Sequence, residues 1–251
     1  MNPSEFLKTA KDGVLKYDSV TFQQCRVVHA DAIDGGFRVE FQAQYPPSTC
    51  KKLLLATGVI DELPPLSDVE QYFGKSVYHC PYCDAFEYTG KKMAAFGSGE
   101  NGRELALELL GWSDNVMLVT NGPHGLEPRH LDQLTKCGIT IIEQPITRLE
   151  GKDGYLHALH FEDGRRAGCD VMFFKTERYQ KSLLAETLGC AITAKGLYDT
   201  HKFESTNIPG MFVAGDASSS LHLVTVAAAS GCEAAFAINT QLLKEQIKAK
   251  L

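Results

Sequence analysis

Two cysteines separated by two residues are the most chemically informative feature of the sequence. They lie in the segment Cys80-Pro81-Tyr82-Cys83, which Asp84 follows directly. Thiols at this spacing at the start of a helix can form a disulfide, and the helix N-terminus lowers the pKa of a thiol. Pro81 is typical of a first helical turn, and Asp84 could exchange a proton as the disulfide opens. The segment predicts a redox-active dithiol, and two buried, inert thiols are the alternative.

A zinc site is the other chemistry that this cysteine spacing allows. A structural zinc site needs four ligands at ordered spacing. His79 precedes the pair, but the sequence contains no second Cys-x-x-Cys and no His-x-His segment. The sequence therefore argues against a metal at this site.

A glycine-rich segment follows, with Gly97, Gly99 and Gly102 in the pattern G-x-G-x-x-G. In dinucleotide-binding folds the first glycine allows a tight turn, the second lets the backbone approach a pyrophosphate, and the third lets helix and strand pack closely. The ribose-binding acidic residue expected about 20 positions later is absent, because the next strand ends in Thr120-Asn121-Gly122. Asn121 could bind a ribose only as a neutral group. The segment favours a nucleotide-binding fold over tight nicotinamide binding, and a glycine turn without a ligand remains the alternative.

The composition excludes several classes of protein. The chain has 251 residues, of which 44% are hydrophobic and 22% charged, and its formal net charge is −6. These values are typical of a globular protein and argue against a nucleic-acid-binding surface. No apolar run reaches the ~18 residues of a membrane helix. The first five residues lack the pattern of a secretion signal, so we expect a cytoplasmic protein.

Eight cysteines are too few for a disulfide scaffold in a chain of this length. Six of them stand singly, mostly among apolar residues. We expect these six to be buried, inert thiols; they are Cys25, Cys50, Cys137, Cys169, Cys190 and Cys232.

The elements that position these residues can be read from hydrophobic periodicity. Before residue 76 the pattern predicts a helix near residues 3–15 and strands over 20–22, 26–30, 37–44 and 52–58. After it, strands over 76–79, 92–96, 115–120, 139–142 and 171–174 alternate with helices over 103–112 and 127–136. This alternation predicts a parallel sheet. Further strands are predicted over 146–150, 156–162 and 211–216, and a long helix over 223–248.

Taken in order, the motifs resemble those of the low-molecular-weight thioredoxin reductases, within the pyridine nucleotide–disulfide oxidoreductases. The segments that carry the resemblance are Ala56-Thr57-Gly58, His79 to Asp84, Gly97 to Gly102, Ala214-Gly215-Asp216 and Val224 to Ala228. The chain looks most like the bacterial thioredoxin-reductase-like branch, to which fungal dithiol oxidases are also similar. The resemblance covers essentially the whole chain.

The resemblance implies an α/β fold of two Rossmann-like three-layer (β/β/α) domains. A discontinuous FAD-binding-like domain would comprise residues 1–76 and 177–251, and an NAD(P)-binding-like domain with the cysteine pair would comprise 77–176. FAD would be held by Ala56, Thr57, Gly58, Gly215, Asp216 and Val224. NAD(P)H, as a second cofactor, would lie on Gly97, Gly99, Gly102 and Asn121.

The resemblance also implies the chemistry. Cys83 would face the flavin, Cys80 would exchange with the substrate, and Asp84 would donate a proton. The expected substrate is a thioredoxin-like protein or a small dithiol or disulfide. Members of the family are commonly homodimers, so the resemblance implies a homodimer here.

The sequence departs from the family pattern in two places. The family's first G-x-G-x-x-G, which binds the ADP half of FAD, has no counterpart before residue 97. We therefore expect the flavin domain to be N-terminally incomplete by roughly 50 residues, more than one βαβ unit, with an uncovered apolar sheet edge. The family's arginines after the strand over 115–120 are also absent.

These departures leave three functional hypotheses open. The first is an FAD-dependent dithiol–disulfide oxidoreductase. The second is a short form that does not hold FAD and acts as an inactive or nucleotide-binding module. The third is a flavin-free dithiol protein that uses Cys80 and Cys83 alone.

Overall fold

Hydrophobic residues alternate along some strands of the chain, as at Phe37, Val39 and Phe41, and form short continuous runs in others, as over Val171–Phe174. The computed structural model describes residues 3–42 and 45–251. In chain order, its elements are α1 (Pro3–Val14), β1 (Val27–Ile33), β2 (Gly36–Phe41), β3 (Ser48–Cys50), β4 (Leu53–Leu55), β5 (Val59–Asp61), β6 (Val77–Tyr78), α2 (Pro81–Asp84), β7 (Met93–Phe96), α3 (Gly99–Leu109), β8 (Val116–Val119), α4 (Pro128–Lys136), β9 (Thr140–Ile142), β10 (Ile146–Lys152), β11 (Tyr155–Phe161), β12 (Arg166–Gly168), β13 (Val171–Phe174), β14 (Arg178–Gln180), α5 (Leu184–Thr187), β15 (Met211–Val213) and α6 (Val224–Lys248).

The chain divides into two units. The first unit comprises the residues up to Gly58 together with Gln180–Leu251, and the second unit comprises Val59–Tyr179. The first boundary lies earlier than the expected one after residue 76, because the intervening segment packs into the second unit. Val69 and Tyr72 are buried in its core. Ser76 donates a hydrogen bond to the Gly154 carbonyl at 2.8 Å.

The second unit is built on a five-stranded sheet with the order β6-β13-β7-β8-β9. All of its pairings are parallel, as in the register of Ala95 with Leu118 on β7 and β8. The predicted parallel sheet is therefore confirmed. Since successive side chains of a strand point to opposite faces, this sheet buries two separate apolar surfaces.

Each face of the sheet is covered by a different layer. One face packs against the antiparallel sheet of β10, β11 and β12, including Leu149 and Leu159. The other face packs against α3 and α4 through Leu105, Leu109 and Leu134. The second unit therefore has the three layers β/β/α.

The first unit repeats this arrangement with fewer strands. β1, β2 and β3 form an antiparallel sheet, and β4 pairs in parallel with β15. Phe37 of β2 packs with residues of β4 and β15. Phe212 of β15 packs against Ala234 and Ala237 of α6. Among the described residues, β4 has no strand partner other than β15, so its other edge is unpaired there.

Several local predictions were wrong. Residues 20–22 form no strand, because Val20 and Phe22 are exposed and the Lys11 ammonium lies 3.6 Å from the Phe22 ring centre. The predicted strand over 37–44 ends at Phe41, and residues 43–44 lie outside the described residues. Of the six free cysteines, only Cys169 and Cys190 are buried.

In the part of the chain that the structure describes, no helix is both long and apolar enough to cross a bilayer.

The sheet of the second unit provides a test of the packing. Leu118 on β8 is fully buried, so Leu118→Ala should lower the free energy of unfolding by about 2–5 kcal/mol, through lost apolar contacts and a residual cavity. Urea unfolding measures this change. Leu183→Ala, at a site that is 58% exposed, is the control and should change stability by less than about 0.5 kcal/mol. An equal effect of both variants would contradict the described core.

Candidate functional site

The cysteine pair lies at the junction between β6 and α2 in the second unit. Cys80 is the N-cap of α2, and Pro81 occupies its first turn. The Cys83 N–H donates to the Cys80 carbonyl at 3.2 Å. The two sulfurs form a disulfide, and the Cα atoms are 5.3 Å apart, inside the range that a disulfide requires. Cys83 is exposed and Cys80 is half-buried, so a reaction partner can approach the pair from solvent.

Asp84 follows the pair in the last position of α2. Burial, with a smaller effect from the negative charge of Glu87, raises the pKa of its carboxyl from 3.8 to about 6. Burial disfavours the charged carboxylate because it removes water from the group. A carboxyl with this pKa can hold or release a proton near neutral pH, and Asp84 is the residue next to Cys83 in the chain.

The sequence does not single out three side chains on segments that adjoin the pair or contact His79, those of Tyr78, Tyr88 and Asp61. The hydroxyls of Tyr78 and Tyr88 both donate to the Lys75 carbonyl, that of Tyr78 at 2.6 Å. His79 Nδ1 lies 3.7 Å from Asp61 Oδ2. Asp61 lies on β5, and its other oxygen accepts from Arg178 Nε at 3.0 Å. The contact between His79 and Asp61 joins positions remote in sequence, so no local pattern could have shown it.

Aromatic side chains also flank the pair. Tyr82, between the two cysteines, is 76% exposed and contacts the ring of Trp112 edge-on, with the centroids 5.5 Å apart. Phe86 is exposed as well. The surface around the disulfide is therefore partly apolar.

The glycine loop links β7, a strand of the same sheet as β6, to the helix α3. Gly97 and Gly99 have positive φ angles of 151° and 58°. A Cβ on Gly102 would overlap the Gly97 carbonyl, so the third glycine permits close packing of α3 on the loop. α3 begins at Gly99 rather than at the predicted residue 103, because Ser98 is its N-cap.

The cysteine pair and the glycine loop lie at the same edge of the sheet. They follow β6 and β7, which both pair in parallel with β13. One strand separates them, a spacing of roughly 10 Å at about 4.8 Å per strand. Asn121 follows β8 at this edge, but its Oδ1 accepts the Ile146 N–H at 2.7 Å. That oxygen of Asn121 therefore has a structural role.

The remaining predicted residues lie in the first unit, at the ends of its parallel strands. Ala56, Thr57 and Gly58 follow β4, and Gly215 and Asp216 follow β15. The Ala214 N–H donates to the Leu55 carbonyl at 3.0 Å. Val224 begins α6, whose Ser230 Oγ accepts the Gly215 N–H at 2.8 Å. The structure therefore brings the two predicted flavin motifs onto neighbouring strand ends.

This region contains buried polar atoms without a hydrogen-bond partner among the described residues. They are Thr57 Oγ1, Gln180 Oε1, Asp216 Oδ1 and both ring nitrogens of His222. A buried polar group without a partner is costly, so such a set indicates a site built for a polar ligand. All four side chains belong to the first unit. Thr57 and Asp216 lie in the predicted flavin motifs, whereas no local pattern in the sequence marks Gln180 or His222.

A cavity of about 850 Å³ lies in the first unit beside the unpaired edge of β4. Leu53 to Thr57 form one wall of this cavity. Arg26 and Lys181 also line it, and their side chains supply positive charge. The volume is within the range of small-molecule sites.

Comparison with known proteins identifies the family. A family model described as "Pyridine nucleotide-disulphide oxidoreductase" matches residues 8–231. The chain belongs to this family. A probable thioredoxin reductase of Arthroderma benhamiae is 26% identical, over 100% of this chain and 70% of the relative. Thioredoxin reductase tcpT of Claviceps purpurea is 27% identical, over 97% of this chain and 79% of the relative.

Solved structures of similar proteins agree with the family assignment. A crystal structure of a putative thioredoxin reductase TrxB from Bacillus anthracis superposes with a TM-score of 0.91 and is 28% identical, over 98% of this chain and 83% of that one. The crystal structure of HlmI gives a TM-score of 0.90 at 27% identity, over 100% of this chain and 79% of that one. The predicted α/β, Rossmann-like fold is thus confirmed.

The pKa of Asp84 provides a test of its environment. A carboxyl with a raised pKa stabilises the folded state fully below pH 3.8, and this contribution is lost as the pH rises through about 6. The unfolding free energy of the unaltered chain minus that of Asp84→Asn should therefore decrease as the pH rises from 4 to 7. Glu87→Gln, which removes only the weaker perturbing charge, should leave most of the decrease. An unchanged pH dependence in Asp84→Asn would show that Asp84 is not the titrating group.

Proposed function

We propose that this chain is a thioredoxin reductase-like, flavin-dependent dithiol–disulfide oxidoreductase in which Cys80 and Cys83 are the redox-active pair. The observation that carries the proposal is the Cys80–Cys83 disulfide, open to solvent through Cys83, with Asp84 as the next residue. Membership of the family supports it.

Disulfide exchange at the cysteine pair needs no oxidant other than the Cys80–Cys83 disulfide itself. A thiolate of a dithiol substrate attacks one sulfur of the disulfide, which breaks the Cys80–Cys83 bond and forms a mixed disulfide. The second substrate thiolate then attacks the substrate sulfur of this mixed disulfide. The bond to the cysteine breaks, and that cysteine is released as a thiolate. The substrate leaves as a disulfide, and both cysteines hold the electron pairs and protons that it lost. We propose that Asp84 supplies or accepts one of these protons.

The roles of the two cysteines follow the resemblance. We propose that Cys80 exchanges with the substrate and that Cys83 exchanges electrons with the flavin. In this assignment the substrate thiolate attacks the sulfur of Cys80, and the sulfur of Cys83 leaves as a thiolate.

The first unit fits a flavin nucleotide. Thr57, Gln180, Asp216 and His222 each offer a buried polar atom that has no hydrogen-bond partner among the described residues. Ala56, Gly58, Gly215 and Val224 adjoin them on the same strand ends and on the start of α6. We propose that these residues hold FAD, and that Arg26 and Lys181 of the adjacent cavity balance the charge of its phosphates. Bound FAD supplies a two-electron acceptor and donor.

The substrate is proposed from the relatives. Two of them are named thioredoxin reductases, which favours a thioredoxin-like protein as the partner, and a small dithiol or disulfide is the alternative. A cytoplasmic location and a homodimer complete the proposal by the same resemblance.

One observation favours a second candidate function. Residues 1–96 contain no G-x-G-x-x-G, so the chain lacks within this stretch the loop with which the family binds the ADP half of FAD. The second candidate is therefore a chain that does not retain FAD and either exchanges disulfides without it or is inactive.

Flavin binding distinguishes the two candidates. The purified chain, incubated with FAD and passed through a gel-filtration column, should retain the flavin absorption spectrum. Asp216→Ala should weaken FAD binding by at least about tenfold, because a hydrogen bond to a charged group contributes roughly 1.5–3 kcal/mol. Asp199→Ala removes an exposed carboxylate of the same unit and should bind FAD as the unaltered chain does. A chain that retains no flavin would refute the flavin-dependent function and support the second candidate.

Disulfide exchange tests the cysteine pair without flavin. The pre-reduced chain, with the exposed Cys137 and Cys232 replaced by serine, is mixed with 5,5′-dithiobis(2-nitrobenzoic acid). We expect Cys80 and Cys83 to close to a disulfide and to carry no stable adduct in peptide mass spectra. In Cys80→Ser or Cys83→Ser, the remaining thiol should keep a mixed disulfide, because no partner resolves it. The two-cysteine chain and its Cys80→Ser and Cys83→Ser variants could instead all react with the reagent at the rate of an ordinary exposed cysteine. That result would contradict a redox-active pair.

A further inference from the structure

The segment of residues 121–126, which runs from β8 to α4, lies over the first turn of α3. We propose that this segment closes the anion site of the glycine loop, so that the second unit does not bind a pyridine dinucleotide there. The inference concerns only the nucleotide loop and is independent of the proposed flavin site.

The covering segment uses the hydrogen-bonding group that a phosphate would need. The N–H of Gly99, the second glycine of the loop, donates to the His124 carbonyl at 2.8 Å. A Cβ built on Gly125 would lie 3.9 Å from both N and Cα of Gly99. The segment therefore passes in contact with the part of the loop where the backbone would otherwise approach a pyrophosphate.

The segment is held in place by side chains on both of its flanks. The His124 N–H donates to Glu143 Oε1, and the Leu126 N–H donates to His124 Nδ1, both at 2.9 Å. Leu126 is buried in the core with α3. At the other end, the Asn121 carboxamide accepts the Ile146 N–H. The cover is thus a bonded part of the fold, and a ligand would have to break these bonds to displace it.

The charges around the first turn of α3 also disfavour an anion. Glu100 lies in this turn, and Glu143 holds the cover. The nearby arginines are already paired: Arg103 bonds to Glu100 directly, and Arg129 Nε lies 2.7 Å from Glu127 Oε2. A pyrophosphate would meet two carboxylates and a carbonyl oxygen. Residues 121 and 122 are asparagine and glycine, so they supply no positive charge to offset this repulsion.

These contacts account for the glycine loop as a part of the fold that needs no bound nucleotide. The three glycines are explained by the tight turn at Gly97, by the positive φ angle of 58° at Gly99, and by the packing of Gly102 on Gly97. Gly97, Gly99, Gly102 and Asn121, predicted as a nucleotide site, are thereby assigned structural roles. An NAD(P)H-dependent step at this loop is not part of the proposed function.

Direct binding measurements test the inference. NADH and NADPH are titrated separately into the full chain by calorimetry, without dithiol or flavin, and amide deuterium exchange is followed at residues 97–102. We expect dissociation constants above about 1 mM, the upper end of the usual range for enzyme substrates, and no protection of these amides. A dissociation constant below about 100 µM, with protection of residues 97–102, would overturn the inference. Because flavin and dithiol are absent, neither result bears on the proposed oxidoreductase activity.

A variant that releases the cover gives the complementary test. His124→Ala combined with Glu143→Ala removes the two side-chain acceptors that hold the segment at residues 124–126. We expect faster exchange of the Gly99 amide and at least about tenfold tighter binding of dinucleotide or of inorganic pyrophosphate, equivalent to about 1.4 kcal/mol. Glu162→Ala removes an exposed carboxylate of the same unit and should leave both quantities unchanged.

The single variant Glu143→Ala keeps the test available if the double variant does not fold, since Glu143 is exposed. Gly99 exchange in Glu143→Ala should be faster than in Glu143→Gln, which keeps a side-chain acceptor. Equal exchange in the two single variants, or faster exchange in the double variant without any gain in anion binding, would overturn the role of the cover.

Discussion

Parallel hydrogen bonding between β6, β13 and β7 places the two motifs of the second unit at a common edge. In a parallel sheet all strands end on the same side, so the residues after β6 and β7 become neighbours although they are separated in sequence. The same pairing makes successive side chains alternate between two faces, which the antiparallel sheet of β10–β12 and the helices α3 and α4 then cover. The position of the disulfide, the start of α3 and the burial of Leu118 all depend on this one pattern.

The two units differ in how their polar groups are satisfied. In the first unit, Thr57, Asp216 and His222 hold buried polar atoms without partners among the described residues. In the second unit, the Gly99 amide and the Asn121 oxygen have partners within the unit itself. Since an unsatisfied buried group costs more than a made bond gains, a ligand is favoured where partners are missing and opposed where they are present. This difference supports a flavin in the first unit and opposes a dinucleotide in the second.

Much of the second unit could be predicted because its signals are local. The alternation of strands and helices gave the parallel sheet, and the spacing of Gly97, Gly99 and Gly102 gave a tight strand-to-helix turn. The errors arose where a distant contact decides the outcome. Residues 59–76 pack into the second unit through Val69 and Tyr72, so the first boundary was placed too late. Val20 and Phe22 alternate like strand residues but remain exposed, because among the described residues no strand pairs with them.

By itself, the sequence determined which chemical groups are present and how closely the chain can bring them together. Cys80 and Cys83 are three positions apart, and a single helical turn is enough to let them form a disulfide. Tertiary structure decided which of those groups are available. It partly buried Asp84 and thereby raised the pKa of its carboxyl to about 6, and it placed the His124 carbonyl on the Gly99 amide. Burial and hydrogen-bond occupancy depend on groups that are remote in sequence, whereas the spacing of two thiols depends only on the chain between them.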